Sequence, residues 1–232
     1  MNIGDRLKAI GKLVPQGCVL ADIGTDHAYL PVWLLEQGKI ASAIAGDIAE
    51  GPCLAAKNTV SMHGMKGKVE VRLGSGLKVL QAGEADCIAI AGMGASTMIE
   101  ILEADMPLAV EAKRLVLQPM AGAASLRKWL IQNDWCIVAE DLVADGRHLY
   151  EIMAVERGES EAFSDAVLEI GPSLIEAKHP LLAKQFARQI NNYKKLLANM
   201  GKSEQAKASE KYIAWEKLVQ ELEALADACN CK

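Results

Sequence analysis

Two carboxylates bracket a glycine in Asp22-Ile23-Gly24-Thr25-Asp26-His27, directly after the apolar run Val19-Leu20-Ala21. A second apolar run, Ile40 to Gly46, stops at Asp47. In a parallel α/β sheet the carboxyl ends of neighbouring strands meet at a crevice where ligands bind. Gly24 permits a tight turn and a close backbone approach there. Asp47 follows at about 20 residues, the interval at which an acid accepts hydrogen bonds from ribose hydroxyls. The spacing predicts a nucleoside-cofactor site. The three glycines of a dinucleotide fingerprint are missing, and flanking carboxylates disfavour a pyrophosphate, which needs helix-end donors. A cation suits the loop better. S-adenosylmethionine carries a sulfonium and an ammonium, and Asp22 and Asp26 are electrostatically matched to it. Asp26 also reads as an N-terminal helix cap, a role compatible with ligand binding.

Two further glycine-bearing loops end apolar runs. Gly74-Ser75-Gly76 leaves room for a flat ring along the backbone, with a backbone amide or Ser75 at the edge of an adenine; a plain turn is the competing reading. Ala91-Gly92-Met93-Gly94 sits where a substrate meets the strand edge. The D/N-P-P-Y/F segment that grips an exocyclic amine is absent there, which argues against methylation of an amine such as adenine N6. His27 lies in the first loop within reach of a cofactor, whereas His63, His148 and His179 read as structural or exposed. No metal-ligand spacing is present, so no metal is expected.

These loops must be carried by alternating strands and helices. Periodicity predicts a helix over 2–14, a strand at 18–23, a helix from His27 through Leu35 and a strand from Ile40 to Gly46. A helix after Gly51-Pro52, strand Val69–Leu73, a short helix Gly76–Gln81 and the buried strand Asp86–Ala91 follow. Then come helix Ala95–Glu103, strand Leu115–Gln118 and helix Ser125–Gln132. Trp135–Val143 and Leu149–Glu156 flank Ala144-Asp145-Gly146-Arg147, a hairpin signal. The pattern is a doubly wound, mostly parallel seven-stranded α/β sheet with an antiparallel last strand, as in class I methyltransferases and unlike dehydrogenases. Gly158-Glu159-Ser160-Glu161 reads as a linker between a cofactor domain at 1–158 and an appendage at 165–232. In the appendage, Leu182, Phe186, Gln189, Tyr193, Leu196 and Met200 step at helical spacing, as do Ala208, Tyr212, Trp215, Val219, Leu222 and Ala226. The expectation is a coiled-coil-like helical hairpin, with Ser203 capping its second helix, or else a dimerisation element.

Composition narrows the classes. The 232 residues are 51% hydrophobic, and no uncharged apolar run approaches the ~20 residues of a membrane helix. Without a secretory signal pattern, the expectation is a cytoplasmic protein, monomeric or weakly dimeric. Cys18, Cys53, Cys87 and Cys136 read as buried thiols, and Cys229 and Cys231 as a frayed tail. The net charge of −5 is uneven: residues 1–177 sum to −9 and residues 178–217 to +6. An acidic body with a basic arm suggests a polyanion partner, against the alternative of a solvated helical face.

The residues Asp22-Ile23-Gly24-Thr25-Asp26-His27-Ala28-Tyr29-Leu30-Pro31, Asp47 before Gly51-Pro52, Arg72-Leu73-Gly74-Ser75-Gly76-Leu77, Ile90-Ala91-Gly92-Met93-Gly94 and Leu117-Gln118-Pro119 together resemble the bacterial tRNA adenine-22 N1-methyltransferases. The resemblance covers about residues 1–157 by motif and the tail by architecture. Two positions depart: Ala95 where the family usually has a further glycine, and Ser75 where it often has an acid or amide. The resemblance implies a Rossmann-like methyltransferase using S-adenosylmethionine on a ring nitrogen of adenosine in tRNA. The implied cofactor set is Asp22, Ile23, Gly24, Thr25, His27, Asp47, Ile48, Gly74, Ser75, Gly76, Ala91, Gly92 and Met93. With adenine as target, Asp26 is assigned to the developing charge and Tyr29 to stacking or, alternatively, to the core. Arg6, Lys184, Arg188, Lys194 and Lys195 are the expected RNA contacts. A small-molecule methyltransferase with a lid-forming or dimerising arm, and a non-catalytic cofactor-binding protein, remain the rival readings.

Overall fold

In the computed structural model, which describes residues 1–146 and 148–231, the apolar runs become β1 (Val19–Ile23), β2 (Ser42–Asp47), β3 (Val69–Leu73), β4 (Cys87–Gly94), β5 (Arg114–Ala121), β6 (Trp135–Asp145) and β7 (His148–Arg157). They form one sheet in the order β3-β2-β1-β4-β5-β7-β6. The first five strands are parallel, and β7 inserts antiparallel between β5 and β6. This is the methyltransferase-type sheet that the alternation predicted. Arg147, in the expected hairpin turn, lies outside the described residues.

The helices between strands are α1 (Asp5–Leu13), α2 (Tyr29–Glu36), α3 (Glu50–Met62), α4 (Ala95–Ala104), α5 (Met106–Glu111) and α6 (Ala123–Gln132). Alternate strand residues feed two cores. Ile88 and Ile90 of β4 and Leu115 and Leu117 of β5 join Met98, Leu102 and Leu126 on one face. Cys87, Ala89 and Val116 join Ile10, Val32 and Leu34 on the other. A strand buried on both faces explains why β4 reads as an unbroken apolar run. Each fully buried Leu or Ile contributes about 1.5–3 kcal/mol.

Several boundaries shift for local reasons. α2 starts at Tyr29 because Asp26 and Ala28 adopt left-handed conformations, φ 54° and 56°, before the helix. Its N-cap position is Ala28, so Asp26 does not cap it. β4 runs past Ala91 to Gly94, with an irregular register around Met93 and Gly92 at φ 80°. Cys136 is half-buried rather than buried. A charged cluster enters the core: Arg127 of α6 donates to Glu140 at 2.7 Å and Glu151 at 2.8 Å, tying the helix to the closing hairpin. Burial opposes the Arg127 charge, but the two carboxylates outweigh it and raise its pKa. Removing Arg127 would strand both buried carboxylates at a cost of about 3–5 kcal/mol.

The chain divides into two units, Met1–Ser160 and Glu161–Lys232. The second contains α7 (Asp165–Ile170), α8 (Pro172–Glu176), α9 (Leu182–Met200), α10 (Glu204–Lys207) and α11 (Glu210–Ala228). α9 and α11 pack together, with Tyr193 edge-on to Trp215 at 5.7 Å. Ser203 caps the short α10, and Ser209 caps α11. The seam takes Leu197 rather than Leu196, which is 44% exposed. A helix of 3.6 residues per turn drifts off a strict four-three step. Among the described residues no helix is long and apolar enough to cross a membrane.

Candidate functional site

A cavity of about 650 Å³ opens where the loops after β1, β2 and β3 meet the end of β4 and the start of α4. That volume lies within the roughly 300–1,000 Å³ of small-molecule sites. Backbone bonds stitch its rim: Gly24 N and Thr25 N donate to Gly46 O at 2.8 and 3.0 Å, and Gly74 N donates to Asp47 O at 2.9 Å. Gly24 sits at φ 72°, and a Cβ there would stand 2.1 Å from Met93 Cε. The left-handed conformation favours glycine there, and a side chain would also have to push aside the flexible Met93 methyl.

Asp22 is the buried acid of the cavity, 6% exposed, and accepts from Thr25 Oγ1 at 2.6 Å. Burial pushes its pKa up to about 6, against the Thr25 hydrogen bond and the Arg6 charge, while the Asp47 carboxylate adds to the rise. A carboxylate desolvated with no ion-pair partner among the described residues is suited to receive a cation, which would restore its ionised form. Asp47 lies at the rim, accepting from Asp26 N at 3.2 Å and Ala49 N at 3.0 Å. Each of these oxygens keeps a further lone pair for a hydroxyl donor. Acid, glycine and second acid thus fit a cationic nucleoside such as S-adenosylmethionine.

All thirteen residues of the expected cofactor set line this cavity, as do Asp26, Tyr29 and Arg6. Tyr29 is 42% exposed, which removes its core-packing alternative. Its ring lies parallel to His27, with centroids 5.1 Å apart and planes 9° from each other. His27 Nε2 in turn approaches Asp26 Oδ1 at 3.4 Å. Ile48 is 71% exposed at the rim. Lys184, Arg188, Lys194 and Lys195 all lie on α9 in the second unit and are not among the cavity residues. Lys184 and Lys195 are exposed, whereas Lys194 pairs with Glu223 at 2.6 Å.

Sequence reasoning missed one wall. Thr97, Glu100, Ile101 and Ala104 of α4 line the cavity. Their i, i+3, i+4, i+7 spacing marks one helix face, and it was the available signal. It also missed Gln118, fully buried at the end of β5, which accepts from Arg6 Nη1 at 2.7 Å. A polar residue closing an apolar strand was the clue.

Known proteins are similar to this chain in sequence and fold. A family model described as tRNA (adenine(22)-N(1))-methyltransferase matches residues 20–223. The tRNA (adenine(22)-N(1))-methyltransferase of Bacillus subtilis is 35% identical over 197 residues, 83% of each chain. A crystal structure of Streptococcus pneumoniae Sp1610, put forward as a tRNA (m1A22) methyltransferase, is 34% identical, with a TM-score of 0.88 over 97% of this chain and 99% of that one. The same protein in complex with S-adenosyl-L-methionine is 33% identical at a TM-score of 0.85, again over 97% and 99%.

Proposed function

The chain belongs to the tRNA (adenine(22)-N(1))-methyltransferase family, and from that premise we propose how its residues divide the work. The activity is S-adenosylmethionine-dependent methylation of adenine N1 in tRNA. When bound, S-adenosylmethionine would supply an electrophilic methyl group, its sulfonium becoming a neutral thioether as the methyl–sulfur bond breaks. Asp22 would compensate the positive charge of the donor, and Asp47 would accept from its ribose hydroxyls. Ile23, Gly24, Thr25, His27, Ile48, Gly74, Ser75, Gly76, Ala91, Gly92 and Met93 form the remaining surface against it. One observation carries the assignment: a desolvated carboxylate, with its pKa raised to about 6, faces the same cavity as a rim carboxylate one strand away.

Adenine N1 has an in-plane lone pair and carries no proton, so no general base is needed at that atom. N1 lies on the Watson–Crick edge, and the base must leave its pair to be reached. Positioning then supplies most of the rate. Tyr29, exposed and already stacked with His27, is the platform for the extruded base. The base becomes cationic as the bond forms, and the Asp26 carboxylate, 70% exposed beside His27, stabilises that charge. The basic stretch 178–217, with Lys184, Arg188, Lys194 and Lys195, holds the tRNA backbone.

The test is incubation with labelled S-adenosylmethionine and bulk tRNA, followed by digestion to nucleosides. Label in 1-methyladenosine is expected. Label in N6-methyladenosine alone, or none in RNA, defeats the reading. Asp26→Asn with undiminished turnover would remove the charge-stabilising role.

A further inference from the structure

Arg6 is held unlike the other described arginines of its unit. Arg72 pairs with Glu70 and Glu84, Arg114 with Glu156, Arg127 with Glu140 and Glu151, and Arg157 with Asp134. Arg6 instead donates from Nη1 to the neutral amide oxygen of Gln118 at 2.7 Å, and among the described residues it has no ion pair. Its guanidinium lies 5.7 Å from the centroid of the Tyr150 ring. A Cβ on Gly92, at the cavity wall, would stand 3.6 Å from the same Nη1.

Gln118 is built to do this. It is fully buried, and its amide nitrogen donates to Pro119 O at 2.9 Å and contacts Met120 Sδ at 3.7 Å. A guanidinium has no acceptor, so the amide oxygen must face Arg6. One of the five Arg6 donors is used, and the rest have no protein partner among the described residues. The charge is fixed in direction and has no bonded counter-ion among the described residues, although Asp22 feels it through space. It stands in a cavity whose walls carry Asp22, Asp26, Asp47, Glu100 and Asp105, with Lys78 as the other basic side chain of the lining. An RNA strand approaching that mouth is repelled except where a cation is held for it. A guanidinium fork matches a phosphate.

We propose that Arg6 and Gln118 form a phosphate subsite for the RNA strand beside the target base, with Gln118 as the positioning residue that aims the guanidinium without pairing its charge. This rests on the tRNA-methylation reading and adds to it where the backbone of the substrate is gripped at the cavity mouth, apart from the basic arm.

The neutrality of Gln118 supplies the test. Gln118→Glu places a carboxylate against Arg6, which neutralises the guanidinium and makes a worse phosphate site, at the cost of the amide donor to Pro119 O. Arg6→Gln, at the edge of the cavity, tests the same charge without altering a buried position, and Arg6→Lys retains it. Steady-state methylation of tRNA is measured across a salt series, with donor affinity by calorimetry at pH 8. Gln118→Glu and Arg6→Gln are each expected to raise KM for tRNA about tenfold, with kcat within about threefold and donor Kd within about twofold. Both should lower the slope of log affinity against log salt by about 0.7 to 1, the loss of one phosphate contact, and Arg6→Lys should keep it. Wild-type KM and slope in both neutralised variants overturns the subsite, as does a fall in donor affinity parallel to the loss of tRNA affinity. Wild-type enzyme that puts no label in tRNA overturns the underlying reading instead.

Discussion

The two units use charge in opposite ways. In Met1–Ser160 the charges proposed to hold a ligand are few, fixed and partly buried: Asp22 is 6% exposed and hydrogen-bonded to Thr25, and Asp47 is held by two backbone amides. In Glu161–Lys232 they are many and solvated, carried on α9 with its lysines turned outward. A buried charge acts through low dielectric and geometry, so a single change is felt in full. A surface array acts through its sum and is screened by salt, so single changes fade. The first arrangement suits recognition of one small cation, and the second suits a long polyanion.

That contrast breaks first at Asp22. Asp22→Asn is expected to weaken donor binding about 100-fold at pH 8 by calorimetry, the scale of a lost charge-assisted contact. The same change should stabilise the ligand-free protein. The folded-state pKa of Asp22, about 6, lies above the ordinary 3.8. The native state therefore holds this proton more tightly than the unfolded chain does. The group's stabilising contribution is complete below about pH 4 and is lost as pH rises through 6. At pH 8 the amide relieves a cost of up to about 3 kcal/mol, seen as a higher melting temperature. Donor affinity of the unaltered protein should also fall as pH drops below 6. A variant that lost both stability and binding would make Asp22 a structural group.

Gly24→Ala comes next, at about tenfold weaker donor binding. The left-handed backbone costs about 1–2 kcal/mol with a side chain, and the new Cβ drives the Met93 methyl away. Undiminished affinity would mean that the β1 loop adapts freely. A smaller effect is expected from neutralising the arm. Lys184→Gln with Lys195→Gln should lower tRNA affinity several-fold and reduce the salt slope by about 1.5 to 2, with donor affinity unchanged. Lys194→Gln alone should change tRNA affinity by less than twofold, because that ammonium already pairs with Glu223. A large effect from Lys194 alone would erase the distinction between fixed and summed charge.

Much of the first unit was readable because its signals are local. An apolar run ending in an acid or a glycine marks a strand end, and strand ends are where the cavity forms. That is why Asp22, Asp47, Gly74 and Gly92 were found without a fold. What escaped depends on partners distant in sequence. Arg127 looks like a surface residue of an amphipathic helix until Glu140 and Glu151 close over it. Gln118 looks like the polar end of a strand until α1 brings Arg6 to it. The α9 seam slipped at Leu196 because spacing alone does not say where drift returns a residue to solvent.

The strand order carries a consequence for biosynthesis. β7, which leaves the ribosome after the other described strands, is the one that covers the outer edge of β5. A nascent chain translated only as far as β6 leaves unsatisfied backbone donors and acceptors along β5, open to pairing with another chain. The Arg127 network then locks the arriving hairpin in register, since a one-residue slip would turn Glu140 or Glu151 away from the guanidinium.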